Sequence, residues 1–154
     1  MILLTLIFAG CGGAGKSNWQ QVSGEGFSFQ APSGWRVSTR NGATSAASGS
    51  VDLVEAVSFR LVHLYRRSRF AAATRELDSV ADGLAKQLHG VVRSRQSLRV
   101  NGLDAREYAI DYAGKTQEIT FVLQGRSEYE LVCRRAAGGD RAVCVRLLAS
   151  FRLD

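Results

Sequence analysis

The run Val91–Arg134, VVRSRQSLRVNGLDAREYAIDYAGKTQEITFVLQGRSEYELVCR, decides the fold. It divides into strand-length pieces at Val91–Val100, Leu103–Tyr112, Thr116–Leu123 and Glu128–Arg134. The breaks are Asn101-Gly102, Ala113-Gly114 and Gln124-Gly125-Arg126. Asn-Gly between alternating runs is a strong short-range hairpin signal, because both residues tolerate positive φ. Connections this short make sequential neighbours antiparallel.

Working outward, Phe70–His89 reads as a helix. Leu77, Val80, Ala81, Leu84 and Leu88 fall on one stripe, with Arg75, Glu76, Asp78, Asp82 and Lys86 off it. Gly90 follows as a stop signal. Downstream, Ala136–Gly139 reads as a loop and Asp140 as an N-cap. Ala142–Phe151 is then a closing helix with Cys144, Leu147, Leu148 and Phe151 on one stripe. Upstream, Phe27–Ala31 alternates as a half-buried strand. Pro32-Ser33-Gly34 is a turn, and Trp35–Ser38 is the expected hairpin partner. Asn41–Ser50 reads as a Gly/Ala/Ser loop, and Val51–Tyr65 as one long strand of mixed period. Strands, helix, strands, helix is an α+β order. It predicts an α-β-α sandwich: a twisted antiparallel sheet covered by two main helices.

The chain has 154 residues, 45% hydrophobic and 22% charged, with 1 proline and 16 glycines. That suits one domain with a real core and excludes wholesale disorder. Three cysteines are too few for a small disulfide scaffold. The net charge is +6, carried mainly by arginine.

The N-terminus supports two readings. Gly10-Cys11-Gly12-Gly13-Ala14-Gly15-Lys16-Ser17 matches the phosphate loop of nucleoside triphosphatases, G-x-x-x-x-G-K-[ST]. That loop needs a helix opening at Lys16-Ser17, and Ser23-Gly24-Glu25-Gly26 leaves it barely one turn. The βαβ order of such domains is also missing. The favoured reading is a bacterial lipoprotein signal. Met1–Gly10 is uncharged and apolar, too short to span a bilayer, and Phe8-Ala9-Gly10-Cys11 resembles a lipobox. Residues 1–10 are then the signal peptide, Cys11 the lipid attachment site, residues 11–25 a flexible tether and residues 26–154 one domain.

Cys133 alternates with Tyr129 and Leu131, so it faces the apolar layer; Cys144 lies on the apolar stripe of the closing helix. A Cys133–Cys144 disulfide is geometrically plausible and is favoured over two reduced core cysteines, conditional on export. Pairing them leaves Cys11 as the odd cysteine, which lipidation explains.

No cofactor is expected. Neither C-x-x-C nor G-x-S-x-G occurs, and His63 and His89 do not form a metal-spaced pair. Glu128 and Glu130 share a strand face, weak evidence for acid/base work. Arg66, Arg67 and Arg69 form one basic cluster and Arg134 and Arg135 another. They read as solvated charge or as attraction to anionic lipid or wall polymer, not nucleic acid, since no recognition motif accompanies them.

Phe27-Ser28-Phe29-x-x-Pro32-x-Gly34-Trp35 resembles the opening of PsbP-like domains and their small bacterial lipoprotein relatives. Asn101-Gly102-Leu103-x-Ala105-Arg106-x-Tyr108 is similar to their middle hairpin. Tyr129-x-Leu131-x-Cys133 with Cys144-x-x-Leu147-Leu148-x-Ser150-Phe151 looks like their close. The resemblance implies the same sandwich and, for most bacterial relatives, a non-enzymatic accessory role in the cell envelope. Plant and cyanobacterial relatives assist photosystem II, but no photosystem- or metal-binding residue carries over. The expected protein is a lipid-anchored extracytoplasmic membrane protein with a binding or accessory role, its partner an envelope protein or anionic polymer. The alternatives are a nucleoside triphosphatase and an envelope enzyme with an unrecognised site.

Overall fold

The computed structural model describes residues 18–154. Its centre is an antiparallel sheet built on the hairpins of Val91–Arg134. The strands are β3 (Arg36–Arg40), β4 (Ala43–Ser48), β5 (Asp52–Arg60), β6 (Val91–Val100), β7 (Leu103–Tyr112), β8 (Lys115–Gln124) and β9 (Ser127–Ala136). Their spatial order is β3-β4-β5-β9-β8-β7-β6. Asn101 and Gly102 take φ of 50° and 80°, and Ala113 and Gly114 take 45° and 71°. These left-handed pairs close the β6–β7 and β7–β8 hairpins in the twist the strands require.

A second sheet, ordered β1-β2-β10, joins β1 (Trp19–Ser23), β2 (Phe27–Pro32) and β10 (Arg152–Leu153). With helix α2 (Ala142–Ser150) it packs over one face of the large sheet. Phe27, Phe29, Val54, Ala56, Leu131, Cys133, Cys144, Leu147 and Phe151 are buried between them. Helix α1 (Phe70–Gln87) packs on the other face against β6 and β7. Beneath it Leu77, Ala81 and Ala85 meet Tyr108, Ile110, Ile119 and Phe121. The α-β-α sandwich read from the sequence is therefore the observed architecture.

Several local expectations are corrected. Residues 11–25 are not all tether, because Trp19–Ser23 pairs along its whole length with Ser28–Pro32. Val22 is buried there, and the Gln20 amide donates to the Pro32 and Trp35 carbonyls at 3.0 and 2.8 Å. Only one of the five residues is buried, so the periodicity carries almost no signal. Pro32-Ser33-Gly34 is not a hairpin turn. It carries the chain from the small sheet to the large one, where β3 pairs with β4. Asn41–Ser50 is not a loop: Asn41 and Gly42 (φ 51° and 81°) turn the chain into β4. Its small residues hide the pattern, although Thr44 and Ala46 are buried. The long strand expected over Val51–Tyr65 stops at Arg60. On α1, Ala85 replaces Val80 in the buried stripe, and Val80 is 52% exposed.

Helix α1 ends in a way the sequence half-discloses. His89, not Gly90, takes the left-handed conformation, at φ 52°. Gly90 is needed for space: a Cβ there would stand 2.6 Å from the Asp111 carbonyl oxygen. Asp140 does cap α2, its carboxylate accepting the Ala142 N–H at 2.9 Å.

Candidate functional site

Beyond Arg60 the chain leaves the sheet and runs beside α1. Two backbone bonds fix this segment to the β8–β9 turn: Leu61 N–H to the Arg126 carbonyl at 2.8 Å, and Tyr65 N–H to the Gly125 carbonyl at 2.7 Å. The Arg126 guanidinium donates to the Val62 carbonyl at 3.2 Å. Tyr65 is tied down further, its hydroxyl donating to Asp104 Oδ2 at 2.8 Å. Burial, with that bond to the Asp104 carboxylate, pushes the Tyr65 hydroxyl pKa up to about 12.

Between this pinned segment and α1 lies a groove of about 490 Å³. Its walls are Leu61–Tyr65 on one side and Ala72, Ala73, Leu77 and Val80 on the other. Phe121 and Leu123 form its floor, and Arg69, Glu76, His63 and Glu128 bring the polar groups. Val62 is 82% exposed, Leu64 50% and Val80 52%. Phe59, which stands opposite Glu128 across β5 and β9, is 46% exposed.

The groove opens along the α1 side of the large sheet toward β9 and β5. Glu55 of β5 and Glu128 and Glu130 of β9 share that face with Val57, Phe59 and Val132. All three carboxylates are half-buried. Burial raises the Glu128 pKa above the usual carboxylate value. Burial does the same for Glu130, and the charges of Glu128 and Glu55 add to it. Glu55 is raised by burial and partly relieved by Arg134. Glu128 and Glu130 are therefore brought together as the sequence suggested, on a partly desolvated face of an interior strand.

A second polar cluster lies beneath α2 and was not legible in the sequence. Glu107 and Glu118 are 3% and 4% exposed. Arg141 spans both, with Nη2 2.8 Å from Glu107 Oε1 and Nε 2.8 Å from Glu118 Oε2. Arg135 adds a bond to Glu118 at 2.9 Å, and Gln96 and Thr120 donate to Glu107. Each carboxylate is ion-paired and accepts from at least two donor groups, so the cluster anchors α2 to the sheet. The available signal was a Glu at an inward-facing strand position, two residues from Ala105 in β7 and from Thr120 in β8.

Beside it, Cys133 and Cys144 form the expected disulfide, with Sγ atoms 2.04 Å and Cα atoms 5.4 Å apart. Arg134 and Arg135 do not form the expected solvated basic patch. Arg135 holds Glu118, and Arg134 Nε donates to the Val51 carbonyl at 2.9 Å. Of the other cluster, Arg67 is paired with Asp104. His63 borders the groove, and His89 ends α1.

Cys11 and the phosphate-loop match Gly10–Ser17 lie outside the described residues. The helix that a phosphate loop needs after Lys16-Ser17 is absent, because Trp19–Ser23 is β-strand.

Solved structures share this architecture. The solution structure of cyanobacterial PsbP (CyanoP) from Synechocystis sp. PCC 6803 superposes with a TM-score of 0.62 at 13% identity, covering 96% of this chain and 99% of that one. The fold is PsbP-like. A Bacteroides thetaiotaomicron VPI-5482 crystal structure matches with a TM-score of 0.58 at 15% identity, covering 84% of this chain. This chain spans 45% of that protein's length. No family model matches the sequence, and no curated protein is significantly similar to it. The PsbP-like sandwich thus accounts for the architecture, while the groove beside α1 is described from this chain's own residues.

Proposed function

We propose that this protein is a non-catalytic accessory module of the cell envelope, lipid-anchored at Cys11 on the extracytoplasmic side, which binds a partner at the groove beside α1. The disulfide between Cys133 and Cys144 carries the reading. Oxidised pairs of this kind persist outside the reducing cytosol, and this one leaves Cys11 as the odd cysteine. The apolar walls and pinned backbone of the groove suit binding: they present a prepared surface and little convergent chemistry. Residues 12–18 would separate the lipidated cysteine from β1. At full extension they span at most about 25 Å, which keeps the domain close to the membrane surface.

Mass spectrometry of membrane and soluble fractions tests this. The expected species is a membrane-associated chain that begins at a diacylglyceryl-modified Cys11 and lacks residues 1–10. An unmodified, full-length, soluble chain overturns it.

A further inference from the structure

The groove and the carboxylates beside it point to one class of partner. The first observation is where the exposed apolar side chains gather. Phe59, Val62, Leu64 and Val80 all stand at or beside this groove. Exposed large apolar groups collected around a preformed hollow mark an interaction surface more than scattered ones do. The bonds from Arg126 and Gly125 hold the Leu61–Tyr65 wall in place, so little ordering is left for binding to impose.

The second observation is charge. The chain carries 20 Lys and Arg against 14 Asp and Glu. Six carboxylates are ion-paired to arginine: Asp78, Asp82, Asp104, Asp111, Glu107 and Glu118. Glu128 and Glu130 are half-buried, yet no hydrogen bond or ion pair to them is found among the described residues. Removing a carboxylate from water without a partner is unfavourable. In so arginine-rich a chain, no cation among the described residues pairs with Glu128 or Glu130, although Arg69 lines the same groove, and a partner can supply one.

We propose that this groove docks a cationic, amphipathic segment of a partner protein. Its apolar side chains lie against Val62, Leu64 and Val80, and its lysine or arginine side chains reach Glu128 and Glu130. The two glutamates are two residues apart on one strand, so their Cα atoms are about 7 Å apart along it. That is the spacing of alternate side chains in an extended peptide. An anionic membrane is the wrong partner for this face, because Glu55, Glu128 and Glu130 repel its headgroups. The proposal rests on the binding role assigned above and names the chemistry of the ligand.

The test uses the full chain and three fluorescently labelled synthetic peptides of equal length: leucine–lysine, leucine–glutamate and serine–lysine. Binding is read by anisotropy at pH 7. The leucine–lysine peptide should bind at least tenfold more tightly than either of the others. E128Q/E130Q should weaken it tenfold or more, and so should V62S/L64S, with both variants still unfolding cooperatively. E25Q, on the β1–β2 turn, should leave it unchanged. Equal binding of the leucine–glutamate peptide, or full affinity in E128Q/E130Q, overturns the cationic partner. Equal binding of the serine–lysine peptide overturns the apolar contact. None of these outcomes alters the mass of the membrane-associated chain, so failure here is distinguishable from failure of the envelope assignment.

Discussion

The hydroxyl of Tyr108, at the buried centre of β7, donates to Asp78 Oδ1 of α1 at 2.6 Å. Arg106 reaches the same carboxylate from the same strand at 3.0 Å. This pair sets the position of α1 along the sheet, and with it one wall of the groove. Y108F removes one hydrogen bond and should lower stability by about 1 kcal/mol. D78A leaves the buried hydroxyl without an acceptor and should lower it by about 2–3 kcal/mol. Urea unfolding of both variants checks the order, and equal effects would contradict it.

The carboxylates divide into two groups with opposite pH signs. Asp78 is held below the usual value mainly by its Tyr108 and Arg106 bonds, which outweigh burial; Asp104 is lowered by Tyr65, Arg67 and Arg99 against the same opposition. Asp111 is lowered first by Thr116 and Arg93. Their folded values lie below the unfolded ones, so their stabilisation is present at neutral pH and is lost as pH falls through the folded values. Glu55, Glu128 and Glu130 are raised. Their contribution is fully present below their ordinary value of 4.5 and is lost as pH rises through the folded values. Groups around this second set are Arg134, His63, Glu76 and Arg69. Thermal unfolding across pH should therefore show maximum stability on the acid side of neutrality.

The same sign gives a sharper expectation for single side chains. E128Q and E130Q each remove a partly desolvated charge, so each should raise the unfolding temperature at pH 7 and leave it nearly unchanged at pH 4. A fall at pH 7 would mean that the carboxylate has a stabilising partner.

Arg141 bridges two buried carboxylates while its own side chain is 46% exposed. R141A leaves Glu107 with Gln96 and Thr120, and Glu118 with Arg135. Discounted for the exposed cation, the expected loss is about 1–3 kcal/mol. Adding E107Q should recover part of it, because an amide is less costly to leave desolvated than a carboxylate. Denaturant unfolding of the single and double variants measures the recovery.

The disulfide closes a short loop, with a sequence separation of 11. C133A/C144A should cost about 2–3 kcal/mol on the loop-entropy account. Unfolding with and without reductant should show a shift of similar size in the parent and none in the variant.

The alternation of Leu103–Tyr112 and the Asn-Gly and Ala-Gly turns determined the antiparallel core of the sheet locally, because each hairpin closes within its own residues. The stripe through Leu77 and Ala81, and the inward positions of Cys133 and Cys144, likewise depend on period alone. Glu128 and Glu130 were legible as neighbours on one face for the same reason. Only the tertiary structure decided the rest. β1 and β4 are held by partners, not by their own weak patterns, and the chain switches sheets at Pro32–Trp35. The groove exists because Leu61–Tyr65 is pinned to a turn sixty or more residues away in sequence. The burial that desolvates its carboxylates comes from strands β5 and β9, remote in sequence and adjacent in space. Short-range periodicity records which way a side chain points; it does not record what, if anything, stands opposite.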